Sequence, residues 1–188
     1  GKIYYQRYER GHAVAPVEEQ GKTEKSGTFV RFIPDDEIFQ TTDFQYEILE
    51  DRLRELAFLN RNVKITLTDK RTEKTETLQF AGGIIEFVQY IDQARQALHG
   101  DVIYFEGERD GFPVEVAMEY TGSYSENIYT YVNNISTIEG GSHLSGFRSA
   151  LTRSLNTYAT KNNLLKNEKQ NLSGEDVREG ITAVVSVK

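Results

Sequence analysis

Between Val102 and Val132 the chain carries three runs rich in β-branched and aromatic residues, separated by two turn pairs, and this most limits the folds open to it. The runs cover residues 102–107, 114–120 and 127–132, separated by Asp110-Gly111 and Gly122-Ser123. Such pairs favour tight reversals, so the spacing predicts an antiparallel meander. A final strand is predicted over residues 181–187. Helical spacing of Leu144, Phe147, Leu151, Leu155 and Tyr158 predicts a long helix between that strand and the third run.

The rest of the chain follows the same alternation. Ile3, Tyr5 and the residues around Tyr8 form a β-rich run closed by Arg10-Gly11-His12, with 13–18 as its hairpin partner and 20–27 as a loop. Residues 28–33 alternate as a strand, with Phe29, Arg31 and Ile33 on one side, and Pro34 ends it. Thr42 and Gln45 match a capping box for a helix to about Leu59. Residues 63–69 and 75–80 read as a hairpin. After the Gly82-Gly83 break, Ile84, Phe87, Val88 and Ile91 share one face of a helix ending near Ala97. Ser173 caps a short helical turn, and Gly180 stops it. The expectation is an α+β fold, a mixed sheet with helices packed on one face.

Composition narrows the chemistry. A chain of 188 residues, 38% hydrophobic and 27% charged, has the mix of a globular protein, holding one domain and part of another. It contains no Cys, so neither a disulfide framework nor a thiolate nucleophile is available, and a cytoplasmic location is expected. No apolar run approaches the roughly 20 residues of a membrane span. A net charge of -7 argues against a surface basic all over and requires any nucleic-acid contact to be local.

One basic segment stands out. Arg148, Arg153, Lys161, Lys166 and Lys169 follow Gly140-Gly141, and Glu168 is the only acid between Gly140 and Asn171. With a helix N-terminus and His143 nearby, this segment is a candidate phosphate contact; for Arg148 an intramolecular salt bridge is the competing reading. Gly141 and Gly146 have the spacing of P-loop glycines, but Phe147 and Arg148 replace the required Lys and Ser or Thr, which leaves a Gly-Gly turn and a helix capped by Ser142. His12, His99 and His143 are too scattered to predict a metal site. The acidic clusters Asp35-Asp36-Glu37 and Glu175-Asp176 lack a calcium-loop pattern. Packing is the expected role of the eleven Tyr.

Six stretches in order along nearly the whole chain carry a family likeness: KSGT at 25–28 followed by Val30-Arg31-Phe32, RLRELAFLN at 52–60, Gly82-Gly83-Ile84, EGGSHLSGFR at 139–148, ALTRSLNTY at 150–158 and SGEDVREGITAVVSVK at 173–188. Together the chain resembles the B subunits of bacterial DNA gyrase and topoisomerase IV, and RLRELAFLN favours gyrase. The resemblance implies an ATPase region made of an Hsp90/MutL-type nucleotide-binding domain and a transducer domain of ribosomal-protein type. Residues 1–34 would be the last strands of the first and 35–188 the second, truncated before a Gln-Thr-Lys loop whose Lys reaches the terminal phosphate. Lys188 is not that Lys. Thr28 matches the adenine-pocket Thr that coumarin inhibitors also exploit, and Arg148 matches a cavity-facing Arg; Arg153 and Lys161 are weaker DNA-cavity candidates.

The implied activity is that of an ATP-dependent type IIA topoisomerase, with ATP and Mg2+ as cofactors of the parent protein. Its partners would be DNA, gyrase A in an A2B2 heterotetramer, and a second gyrase B on ATP binding. The family's catalytic Glu, its magnesium-binding Asn and its Asp-x-Gly-x-Gly motif have no match in this sequence, so no catalytic residue is assigned and the chain alone is expected to be inactive. The B subunit of topoisomerase IV and a stand-alone nucleic-acid-binding module of the same fold remain open as alternatives.

Overall fold

The computed structural model describes residues 1–165 and 171–188 and divides into two compact units, Gly1–Gln45 and Tyr46–Lys188. In the first, β1 (Lys2–Tyr5) runs antiparallel to β4 (Glu18–Lys22), and β2 (Tyr8–Glu9) pairs with β3 (His12–Ala13). Arg10 and Gly11 both take positive φ, 47° and 82°, as a two-residue primed turn requires. That turn closes only the small inner hairpin, so the outer strand finds its partner within the span expected to be a loop. Residues 28–33 do not form the predicted strand. Alternation supplies side chains but not a ladder partner, and among the described residues none pairs with this segment; Phe29, Val30, Phe32 and Ile33 are exposed.

The second unit begins with α1 (Tyr46–Leu59), later than the Thr42 capping box implied. The Thr41 hydroxyl accepts the Asp43 N–H at 3.3 Å, and this local turn replaces the cap. The hairpin β5 (Ile65–Asp69) and β6 (Lys74–Leu78) is as expected. It is fastened to α1 by Arg54, which bonds Glu50 and, at 3.1 Å, Glu76, while Lys74 reaches Glu50 at 3.2 Å and lies 3.9 Å from the Tyr46 ring centre. Hydrogen bonds from Arg54 and Lys74 hold the Glu50 carboxyl below its usual range. Next, α2 (Ile84–Ile91) stops well before Ala97, because the Asp92 carboxylate at its end accepts the Thr182 hydroxyl at 2.8 Å and Arg95 at 2.7 Å.

The remaining strands are β7 (Ile103–Arg109), β8 (Phe112–Tyr120), β9 (Asn127–Val132), β10 (Ile135–Ser136) and β11 (Ile181–Val187), in the sheet order β10-β9-β11-β8-β7. The three-strand meander is therefore corrected: β7 and β8 form a hairpin, but β8 and β9 are parted by β11, antiparallel to β8 and parallel to β9. The reason lies in the last strand's composition. ITAVVSV is apolar or small at every position and buried at six of seven, so both its faces and both its edges need cover, which only the sheet centre provides.

The same two-sided burial corrects the expectation of helices on one face. On one side Ala117 and Val184, opposite each other in register, pack with Phe58, Leu59, Ile84, Phe87 and Val88 of α1 and α2. On the other side Met118, Ile181 and Ala183 pack with Leu151 of α3 (Ser142–Lys161) and Val177 of α4 (Gly174–Arg178). Phe58 stacks on Phe80 at 3.7 Å and on Phe87 at 4.8 Å between ring centroids, each pair adding about 0.5–1.5 kcal/mol beyond its burial. The capping box at α4 is present as Ser173 with Asp176.

Gly180 admits β11 to its slot. Its φ is 75°, and a Cβ there would lie 2.5 Å from the Thr121 carbonyl oxygen and 2.8 Å from that of Ser123, both backbone atoms that cannot swing aside. Gly180→Ala should destabilise the fold by about 2–3 kcal/mol in denaturant titration; a loss below ~0.5 kcal/mol would show that the approach is not tight.

Candidate functional site

The basic helix α3 starts from a turn that only glycine tolerates. Gly140 has φ 79° and Gly141 φ 152°, with Leu144 and His143 side chains packed where their Cβ atoms would be. Gly141 is the N-cap and Ser142 the first helical residue, with no side-chain cap hydrogen bond; the predicted Ser142 cap is replaced by this double-glycine entry. The His143 Nε2 is 3.0 Å from the Thr137 hydroxyl, which donates to the Thr130 carbonyl of β9 at 3.0 Å, so the helix start is tied to the sheet.

The structure separates the three cationic candidates on α3. Arg148 and Arg153, five residues apart, are about 140° apart around the helix. Arg153 and Lys161 line one open groove of ≈ 480 Å³ with Asn156, Thr157, Thr160 and Asn171. Both are exposed, and among the described residues neither is in an ion pair. The groove offers positive charge and neutral hydrogen-bonding groups, as a phosphate backbone requires. Lys166, Glu168 and Lys169 lie outside the described residues.

Arg148 is differently placed. Its Nε donates to Glu126 at 2.8 Å and its terminal NH2 at 2.5 Å, so the intramolecular salt bridge weighed for it is present. The same carboxylate accepts Arg178 of α4 at 2.9 Å. Neither Glu126 nor Arg178 stands out in the sequence: they are 52 residues apart, and only the fold brings α4 up to the connection between β8 and β9. Thr28 lies in the first compact unit, exposed, within the segment that lacks regular structure.

Other candidate chemistry finds structural partners. His99 accepts the Tyr120 N–H on Nε2 at 3.0 Å and contacts the Asp101 carbonyl through Nδ1 at 2.7 Å, and the two contacts orient its ring. Burial, with help from Glu106, pushes the Tyr104 hydroxyl up to about 12, and burial also raises Tyr120 and Tyr131, the opposite of nucleophile activation. Among the described residues no group of three His, Asp or Glu side chains is placed to hold a metal ion. Lys188 reaches the Leu59 carbonyl at 3.3 Å and Glu115 at 3.7 Å.

The fold defined by this sheet and its helices is that of the ATPase region of a type II topoisomerase, in the part carried by its B chain. It matches the 43K ATPase domain of Thermus thermophilus gyrase B, solved in complex with an aminocoumarin, with a TM-score of 0.80 and 34% identity over 100% of this chain and 52% of that one. The family model for DNA gyrase B matches residues 83–188. The chain belongs to the DNA gyrase B family. It is 49% identical to a DNA gyrase B protein of Bacillus mycoides and 53% identical to that of Streptococcus pneumoniae TIGR4, each over the whole chain. It spans 47% of the first relative's length and 30% of the second's.

One buried acid sets a pH dependence. Glu119 stands opposite Thr182 in the sheet, on the face that holds Asp92, and burial followed by repulsion from Asp92 raises its carboxyl above the ordinary 4.5. The folded state therefore binds this proton more tightly than the unfolded chain, and the stability so gained, full below pH 4.5, is lost as pH rises through the raised value. Glu119→Gln should melt above the parent at pH 7.5, by about 2–4 °C, with the gap closing towards pH 4.5. A gap that does not change with pH would contradict this assignment.

Proposed function

We propose that this chain is the part of gyrase B that couples ATP binding and hydrolysis to DNA strand passage and negative supercoiling. The observation that carries the reading is the Arg153–Lys161 groove, an exposed cationic strip on a helix mounted on a two-sided, well-buried sheet, in a chain whose net charge is -7. Charge set locally against an acidic background suits a transient phosphate contact rather than a general nucleic-acid coat. Arg153 and Lys161 meet the DNA backbone, and Arg148, paired with Glu126, contributes beside them.

Residues 1–34 complete a nucleotide-binding domain, and residues 35–188 form the transducer. Thr28, an exposed hydroxyl, supplies a hydrogen bond to the adenine; that the Thermus thermophilus ATPase domain binds an aminocoumarin is in keeping with this reading. ATP and Mg2+ are cofactors of the whole gyrase B protein, and their remaining ligands belong to stretches of it that this chain does not span. The chain by itself turns over no ATP on this reading, because the family's catalytic Glu, the general base that activates water, has no match in its sequence. Its partners are DNA, gyrase A in an A2B2 assembly and a second gyrase B recruited by ATP, in the cytoplasm. Gyrase relatives at 49–53% identity favour gyrase over topoisomerase IV, and the net acidity disfavours a stand-alone nucleic-acid-binding module.

In full-length gyrase B reconstituted with gyrase A, Arg153→Ala with Lys161→Ala should lower ATP-dependent supercoiling about tenfold, the loss of charged contacts to phosphate. DNA-independent ATP turnover should stay as it was. Supercoiling at the parental rate would remove the groove from the mechanism.

A further inference from the structure

Arg148 and Arg178 come from different helices and converge on one carboxylate, that of Glu126 in the connection between β8 and β9. Arg148 spends two N–H groups on Oε1, and Arg178 places its Nε on Oε2. A carboxylate held this way presents what a phosphodiester presents, two oxygens sharing one negative charge, to two planar donors suited to either anion. The three groups together keep one positive charge uncompensated.

We infer that Arg148 and Arg178 form a second oxyanion site, for a phosphodiester of nucleic acid, which Glu126 fills as an internal stand-in and vacates when the phosphate arrives. The inference rests on the reading that α3 faces DNA. The two arginines are unequally held. Arg178 is seated: its side chain is 18% exposed, and its terminal nitrogen occupies the space a Cβ on Gly174 would need, at 2.6 Å. Arg148 is 41% exposed and reachable from solvent. Burial alone would raise the Glu126 carboxyl, but hydrogen bonds from Arg178 and Arg148 more than offset it, so the group stays ionised near neutrality and always competes.

Exchange of one monoanion for another changes little in Coulomb energy, and a tethered carboxylate outcompetes a free phosphate. A duplex held through its other phosphates presents one here at high local concentration, and displacement then becomes favourable. Glu126 thus makes the site respond to bound duplex and ignore stray phosphate. The nearby acid Asp176 does not compete, since its carboxylate is engaged with the Ser173 N–H at 2.8 Å.

The test uses the 188-residue chain with Glu126→Gln, inorganic phosphate as the site probe and a duplex of about 20 base pairs as the source probe. Phosphate should bind the variant about three- to tenfold more tightly than the parent, with the Arg148 and Arg178 Nε–H resonances moving together. Adding Arg178→Gln should return the affinity to the parental value. Duplex binding by Glu126→Gln should lose about 0.9 in log–log salt slope when Arg178→Gln is added, one phosphate fewer neutralised. Unchanged phosphate affinity, or a gain that survives Arg178→Gln, overturns the site. A gain for phosphate without that fall in the duplex slope overturns its assignment to nucleic acid. If Glu126→Gln does not fold, the parent chain decides: at high phosphate the two resonances must move together, and movement of one alone overturns the pairing. Should Arg153→Ala with Lys161→Ala leave duplex affinity intact, the α3 reading fails while the phosphate result for the arginine pair stands apart from it.

Discussion

The fold of the larger unit depends on the burial of one strand, β11, on both of its faces and along both of its edges. Its register with β8 and β9 leaves no position free: Ala183 and Ile181 turn to α3 and α4, while Val184 turns to α1 and α2. Its polar residues do not break this pattern. Thr182 is fully buried and donates to Asp92 at the end of α2, so the strand also fixes where that helix stops. At roughly 1.5–3 kcal/mol for each fully buried Val or Ile side chain, this strand alone carries a large share of the driving force.

From that strand the placement of the cationic groups follows. The helix α3 lies on the sheet through Leu151, with Phe147 and Leu155 flanking, and this burial decides which residues remain outward. Arg153 and Lys161 are left on one open groove, and Arg148 is rotated away towards α4, where Arg178 meets it at Glu126. The double-glycine entry and the His143–Thr137 contact set the start of the helix and hence the phase of all three. A rigid mount of this kind suits a relay, in which a domain moves as a body.

Much of this is legible in the sequence where one local rule suffices. The Asp110-Gly111 turn, the hairpin of β5 and β6, the spacing of α3 and the Ser173 cap each depend on residues a few positions apart. The departures share a cause in long-range pairing. Adjacent runs predict adjacent strands, but β11 enters between β8 and β9 because its all-round apolarity demands the centre, and no turn signal encodes that. The alternating segment 28–33 has a pattern without a partner. The two-residue β10 has no strand pattern of its own, although Asn133-Asn134, both at positive φ, is a readable turn signal. At the site, Arg153 and Lys161 are recoverable from charge segregation, whereas Glu126 and Arg178 are not, since acid and base meet only when α4 settles beside the β8–β9 connection.

The rigidity of the β11-centred sheet is the claim on which the relay rests, and native-state amide hydrogen exchange measures it directly. The amides of Ile181–Val187 should be the slowest in the chain, opening only with global unfolding and with a free energy equal to that from denaturant melting. Exchange of these amides at lower free energy than those of β7, at the sheet edge, would mean that the strand is a late, loosely held addition, and the account would be wrong.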